Sequence, residues 1–102
     1  MIKRVSLVWK RADISAAEFR TLWLGEHAEQ ARTIPGARRY TIDFVEDPQP
    51  GQPSGIATLL FESRAALETA FSDPALTAEL ARSRAQFAYR VEILLVDEVS
   101  LF

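Results

Sequence analysis

The sequence predicts an α+β domain with the element order β-α-β-β-α-β. This is the split βαβ arrangement of ferredoxin-like folds, in which helices cover one face of a four-stranded antiparallel sheet. Three observations lead there. A strand-forming run, Val5 to Trp9, feeds a well-delimited helix, Ser15 to Gly36; two more strand-like runs follow without a helix between them; and a broken helical region then precedes a last strand.

Val5 to Trp9 is rich in β-formers and ends in a short polar turn, Lys10 to Asp13. The first helix announces its start. Ser15 can cap it, Glu18 can reach back as the other half of a capping box, and Ile14 can staple onto Phe19. Ile34-Pro35-Gly36 stops it, because proline bars its predecessor from α geometry and glycine turns the chain. From Ala37 to Glu46, Tyr40, Ile42 and Phe44 alternate with Arg39, Thr41 and Asp43, the period of a strand with one apolar face. Three prolines and two glycines make Asp47 to Gly55 a loop, read as a neutral insertion rather than a lid. Ile56 to Phe61 is the third strand. Ser63 caps a helix carrying Leu67, Ala70 and Phe71, and Asp73-Pro74 restarts it so that Leu76 and Leu80 lead toward Phe87. Tyr89 to Val99 closes the chain as the fourth strand.

At 102 residues, 48% hydrophobic and 25% charged, the chain suits one domain, spanning 1–102, with a core of its own. Cysteine is absent and histidine occurs once, which removes zinc fingers, iron–sulfur clusters and dedicated zinc catalysis, and leaves only carboxylate-bound magnesium open. The basic pairs are scattered among acids at a net charge of −2, so nucleic acid is not the expected partner. The third strand also lacks the stacking aromatics of RNA-recognition domains. No segment is apolar enough to span a bilayer, and Val5 to Trp9 is too short for a signal sequence despite Lys3-Arg4 before it; a cytoplasmic protein is expected.

Stepping about 100° per residue along the first helix puts Phe19, Leu22, Trp23, Ala31 and Ile34 on the buried face. Glu26, His27 and Gln30 fall in the same arc. Three polar groups buried without partners would cost about 1–3 kcal/mol each, so they meet partners, trapped water or a cavity. Strands three and four carry a further message, since Ile56 to Phe61 and Val91 to Val96 are apolar on both faces while the helices can cover only one. The simplest cover for the second face is the same sheet of another subunit, which predicts a symmetric homodimer.

The segment Phe19-x-x-x-Trp23-x-x-x-His27-Ala28, followed by Ile34-Pro35-Gly36 and Tyr40, resembles the signature of the EthD domain family, part of the dimeric α/β-barrel superfamily. The resemblance implies two ferredoxin-like subunits packing their sheets into a barrel, each with a pocket between sheet and helices. Members include a protein associated with ether degradation, isomerases of muconolactone type, polyketide cyclases and cofactor-free quinone-forming oxygenases. In the lactone-isomerising members, the histidine matching His27 and the tyrosine matching Tyr40 line the pocket. Two departures stand out: Ser83 replaces an aspartate found in many members, and there is no second histidine.

With a reference pKa near 6.5, imidazole can take a proton from a carbon acid or phenol at neutral pH, so His27 is the expected base. Tyr40 would donate to the developing oxyanion, Gln30 would orient imidazole or substrate, and Phe19, Trp23, Ile42 and Phe44 would wall the pocket. Glu26 would raise the histidine's pKa and desolvation would lower it. The expected activity is cofactor-free proton transfer on a small hydrophobic ring compound such as a lactone, phenol or polyketide, leading to rearrangement, cyclisation or oxygenation. The alternatives are a non-catalytic binder of the same ligands and, third, a haem-binding barrel with His27 as axial ligand. No metal or other cofactor is expected.

Overall fold

A computed structural model describes all 102 residues. Strand β1 (Ile2–Lys10) leads to α1 (Ala16–Leu22), a π-helical turn (Trp23–His27) and α2 (Ala28–Ala31). After these come β2 (Arg39–Phe44), β3 (Gly55–Phe61), α3 (Arg64–Ala70), α4 (Pro74–Arg84) and β4 (Ala88–Asp97). The antiparallel sheet runs β2-β3-β1-β4, the expected ferredoxin-like order.

Local signals set the helix starts. Ser15 Oγ accepts from Glu18 N at 3.0 Å while Glu18 Oε1 accepts from Ser15 N at 3.2 Å, closing the capping box. Ser63 Oγ accepts from Ala66 N, and Asp73 Oδ1 from Ala75 N, ahead of Pro74 at the first helical position.

The first helix departs from the sequence reading in two ways. It ends at Ala31 rather than running to the Pro35-Gly36 stop, and it is kinked midway. Gly25 leaves the helical well (φ −84°, ψ −122°), and Ala28 N–H reaches back five residues to Trp23 O. The wider turn slows the rotation per residue. As a result Phe19, Trp23 and His27, four apart in sequence, all stay on the buried side.

Sheet register puts Arg4, Ser6 and Val8 of β1 opposite Leu59, Ala57 and Gly55 of β3, which in turn oppose Tyr40, Ile42 and Phe44 of β2. All of these face the helices. Two apolar clusters form in that layer: Val8, Phe19, Trp23 and Phe87 at one end, and one around Ile34, Leu59, Phe61, Leu67 and Leu80 at the other. Between them the packing leaves a gap. The Asp47–Ser54 loop takes no part in it. It turns to the opposite side of the sheet, where Gly51 O accepts from Trp9 Nε1 at 3.1 Å.

Gly55 is fixed by the indole of Trp23, because a methyl group there would meet the six-membered ring, with Trp23 Cη2 only 3.1 Å away. Gly55→Ala is therefore expected to destabilise the fold by about 1–3 kcal/mol, read from chemical denaturation midpoints.

Candidate functional site

The gap between the clusters is a cavity of about 50 Å³. Its floor is the sheet, through Arg4, Ser6, Ala57, Leu59 and Tyr40. Trp23, His27 and Ala31 roof it from the first helix, and Thr77, Leu80 and Arg84 close it from α4.

His27 is only 8% exposed, and its ring contacts Phe87 and Ser83. Phe87 packs edge-on against it at 5.4 Å between centroids. Nδ1 lies 2.7 Å from Ser83 Oγ, a hydroxyl with no solvent exposure. The surrounding network fixes the tautomer. Gln30 Nε2 donates to the carboxylates of Glu26 (3.3 Å) and Glu79 (3.5 Å), which leaves Gln30 Oε1 to accept from Ser83 Oγ at 2.7 Å. With its single proton turned to Gln30 Oε1, and the Leu80 carbonyl a second acceptor at 3.3 Å, Ser83 accepts from His27 Nδ1–H. Nε2 is then the unprotonated nitrogen; it has no protein partner and is not sealed from solvent.

Burial holds the His27 imidazole down at about 4, with the Arg84 charge next in weight and Arg4 adding to it. The Leu80 carbonyl pulls the other way, and so, most weakly, does Glu26. Of the two opposing effects foreseen for this residue, desolvation prevails. Ser83→Asp, which puts a carboxylate on Nδ1, is expected to raise the His27 pKa by about 1–3 units. The signal of the only histidine in the chain reports it directly in a proton NMR titration.

Tyr40 lines the same cavity from β2, and burial raises its pKa. The indole N–H of Trp23 lies near enough to the phenol oxygen to offset part of that rise, yet the pair does not meet hydrogen-bond geometry, which leaves Trp23 Nε1 a buried donor without a well-formed partner.

Of the residues expected to form the site, Trp23, His27 and Tyr40 meet at the cavity. The others are placed elsewhere. Phe19 and Phe44 stack edge-on with each other and with Trp23 in the neighbouring aromatic cluster, where Ile42 also packs. They support the wall without forming it. Glu26 is exposed and ion-paired to Arg82, because the kink at Gly25 turns it outward. Gln30 stands behind Ser83 and touches the imidazole only through it.

Arg4, Ser83 and Arg84 were not foreseen as site residues. Arg4 shares the parity of buried Ser6 and Val8 on β1, and Arg84 follows Leu80 by four on α4, so periodicity did carry a signal for both. Ser83 belongs to the site only because α4 docks beside the π turn.

The EthD domain family model matches residues 11–90. This chain belongs to the EthD domain family. No curated protein sequence matches it significantly. Among solved structures, an EthD family protein from Bacillus halodurans is similar at a TM-score of 0.77 and 16% identity, covering 97% of this chain and 99% of that one. A variant of SnoaB, a cofactor-independent oxygenase from Streptomyces nogalater, gives 0.69 and 22%, covering 98% and 95%. A dimeric protein of unknown function and ferredoxin-like fold from Bacteroides fragilis gives 0.67 and 14%, covering 95% of each chain. At these identities the likeness concerns the fold.

Proposed function

We propose that this EthD domain protein is a cofactor-free enzyme that takes a proton from a small hydrophobic ring compound. The observation that carries this reading is the His27 imidazole, held in one tautomer beside a cavity whose lining is mostly apolar but includes Arg4, Ser6, Thr77 and Arg84. Nε2 accepts the proton, and the Tyr40 hydroxyl donates to the oxygen on which the electron pair settles. Gln30 and Ser83 act as positioning residues for the ring. The similarity to SnoaB, described as a cofactor-independent oxygenase, supports this class of chemistry.

An imidazole held near 4 is a weak base in the free protein, and that observation favours a second reading: a binder that uses the same cavity without turnover. Incubation with lactones, phenols and polyketide-like ring compounds, without added cofactor, separates the two. Turnover that is lost in His27→Gln supports the enzyme, whereas tight binding with no conversion supports the binder.

We also infer that the working unit is a homodimer. On the sheet face away from the helices, Val5, Leu7, Ile56, Leu60 and Leu94 form an apolar stripe, by register, with no helix or strand of this chain above it and the Asp47–Ser54 loop bonded at its Trp9 end. Strand β4 is exposed on both faces, with Ile93 45% and Leu94 49% accessible. The similar Bacteroides fragilis protein is described as dimeric. Leu94→Arg is expected to convert the dimer to monomers in sedimentation velocity at micromolar concentration, and a wild-type protein that sediments as a monomer rules the dimer out.

A further inference from the structure

We propose that the ligand of this cavity carries a carboxylate, seated against the guanidinium groups of Arg4 and Arg84, while a ring oxygen takes the free indole N–H of Trp23. This deepens the proton-transfer reading and rests on it for the identity of the site; it adds the chemical class of the substrate.

The charge pattern is the first argument. Arg4 and Arg84 both line the cavity, and no aspartate or glutamate does. Every ion pair in the molecule involves other cations, and neither guanidinium makes a hydrogen bond to the protein. The chain has 14 acids against 12 lysines and arginines, so a counter-charge was not in short supply. Both guanidinium groups are half-buried with no counter-charge; burial lowers both, taking Arg4 to about 10 with the Arg84 charge adding to it, and such cations are unfavourable unless an anion visits. Phe71 holds the Arg4 guanidinium in place, with the ring centroid 4.2 Å from Cζ. A carboxylate matches such forks through paired N–H···O bonds.

The second argument is independent of charge. Trp23 is 1% exposed, lines the cavity and keeps an indole N–H whose one nearby acceptor, the Tyr40 oxygen, does not meet it in hydrogen-bond geometry. Buried donors are seldom left so, and an acceptor oxygen brought by a ligand satisfies this one and the neighbouring Tyr40 hydroxyl together. Arg4 and Tyr40 stand in one row across the sheet, both opposite Leu59, with their Cα atoms about 10 Å apart. They enter the cavity from different strands, Arg4 toward the charged end of a ligand and Tyr40 toward its carbonyl or hydroxyl end. The apolar residues between them, Leu59 and Leu80, suit a ring.

The arrangement couples binding to chemistry. The groups that face His27 are Arg84 from α4, Arg4 from β1, Tyr40 from β2 and, more distantly, Glu26. Burial is the main reason the imidazole is held down, and a bound carboxylate offsets the further lowering that Arg84 and Arg4 add, so the base gains strength when its substrate arrives.

Benzoate and its neutral isostere benzamide test this on the wild-type protein, with affinity read by titration and the site by the proton NMR signal of the single histidine. Benzoate is expected to bind at least tenfold more tightly than benzamide, to weaken as salt rises, and to raise the His27 pKa by about one unit or more. Arg84→Gln and Arg4→Gln are each expected to remove the preference, and Arg84→Lys, which keeps the charge but not the fork, to reduce it. Equal affinity for the two probes, no benzoate binding at millimolar concentration, or binding that leaves the histidine signal unmoved overturns the proposal. Failure of the proton-transfer reading looks different: benzoate is still preferred, but His27→Gln keeps full turnover.

Discussion

His27→Gln is expected to lower turnover of a ring substrate by about 10²–10⁴-fold, the usual contribution of one positioned base. Glutamine retains a polar side chain of similar reach beside Ser83, so the fold persists while the titrating nitrogen is gone. KM is expected to change little, because the walls, the arginines and Tyr40 remain. Ser83→Ala probes the same step from behind. It removes the acceptor that holds the proton on Nδ1, 2.7 Å away, and lets the ring place its proton on Nε2 instead. Its loss is therefore expected mainly in kcat, and smaller than that of His27→Gln. The pH profile distinguishes a base from a passive contact. In the free protein the acid limb of kcat/KM is expected near pH 4, where the imidazole titrates, rather than near 6.5.

The second large effect is on acid stability. His27 titrates at about 4 in the folded chain and at 6.5 when unfolded, so protons bind the unfolded state first. The stabilisation is fully present above pH 6.5 and is lost as pH falls toward 4, amounting to about 3 kcal/mol in total. Carboxylates titrate at the lower end of the same window, so the comparison with His27→Gln isolates the histidine. Urea denaturation between pH 4 and 7 should show the wild-type protein losing this increment relative to the variant. Parallel curves would mean that the imidazole is hydrated in the fold, contrary to its 8% exposure.

The order of elements, the three side-chain caps at Ser15, Ser63 and Asp73, and the inward placement of Trp23, His27 and Tyr40 were all legible in the 102 letters. Caps act within one helical turn, and the periods of helix and strand act within one element, so a linear reading captures both. The same periodicity placed Glu26 inward, and it failed there because one glycine, Gly25, breaks the helical phase that the extrapolation assumes. The partner of His27 was beyond such a reading, since Ser83 lies 56 residues away and arrives only when α4 docks against the π turn. The same holds for the two arginines. In the sequence Arg4 looked like a basic flank to a strand and Arg84 like one of several scattered charges, but sheet register and helix docking bring both to one cavity with no acid beside them. Thus the sequence by itself determined which faces are buried, and the tertiary structure decided which distant side chains share a space, because those approaches are set by long-range packing rather than by any signal local to the chain.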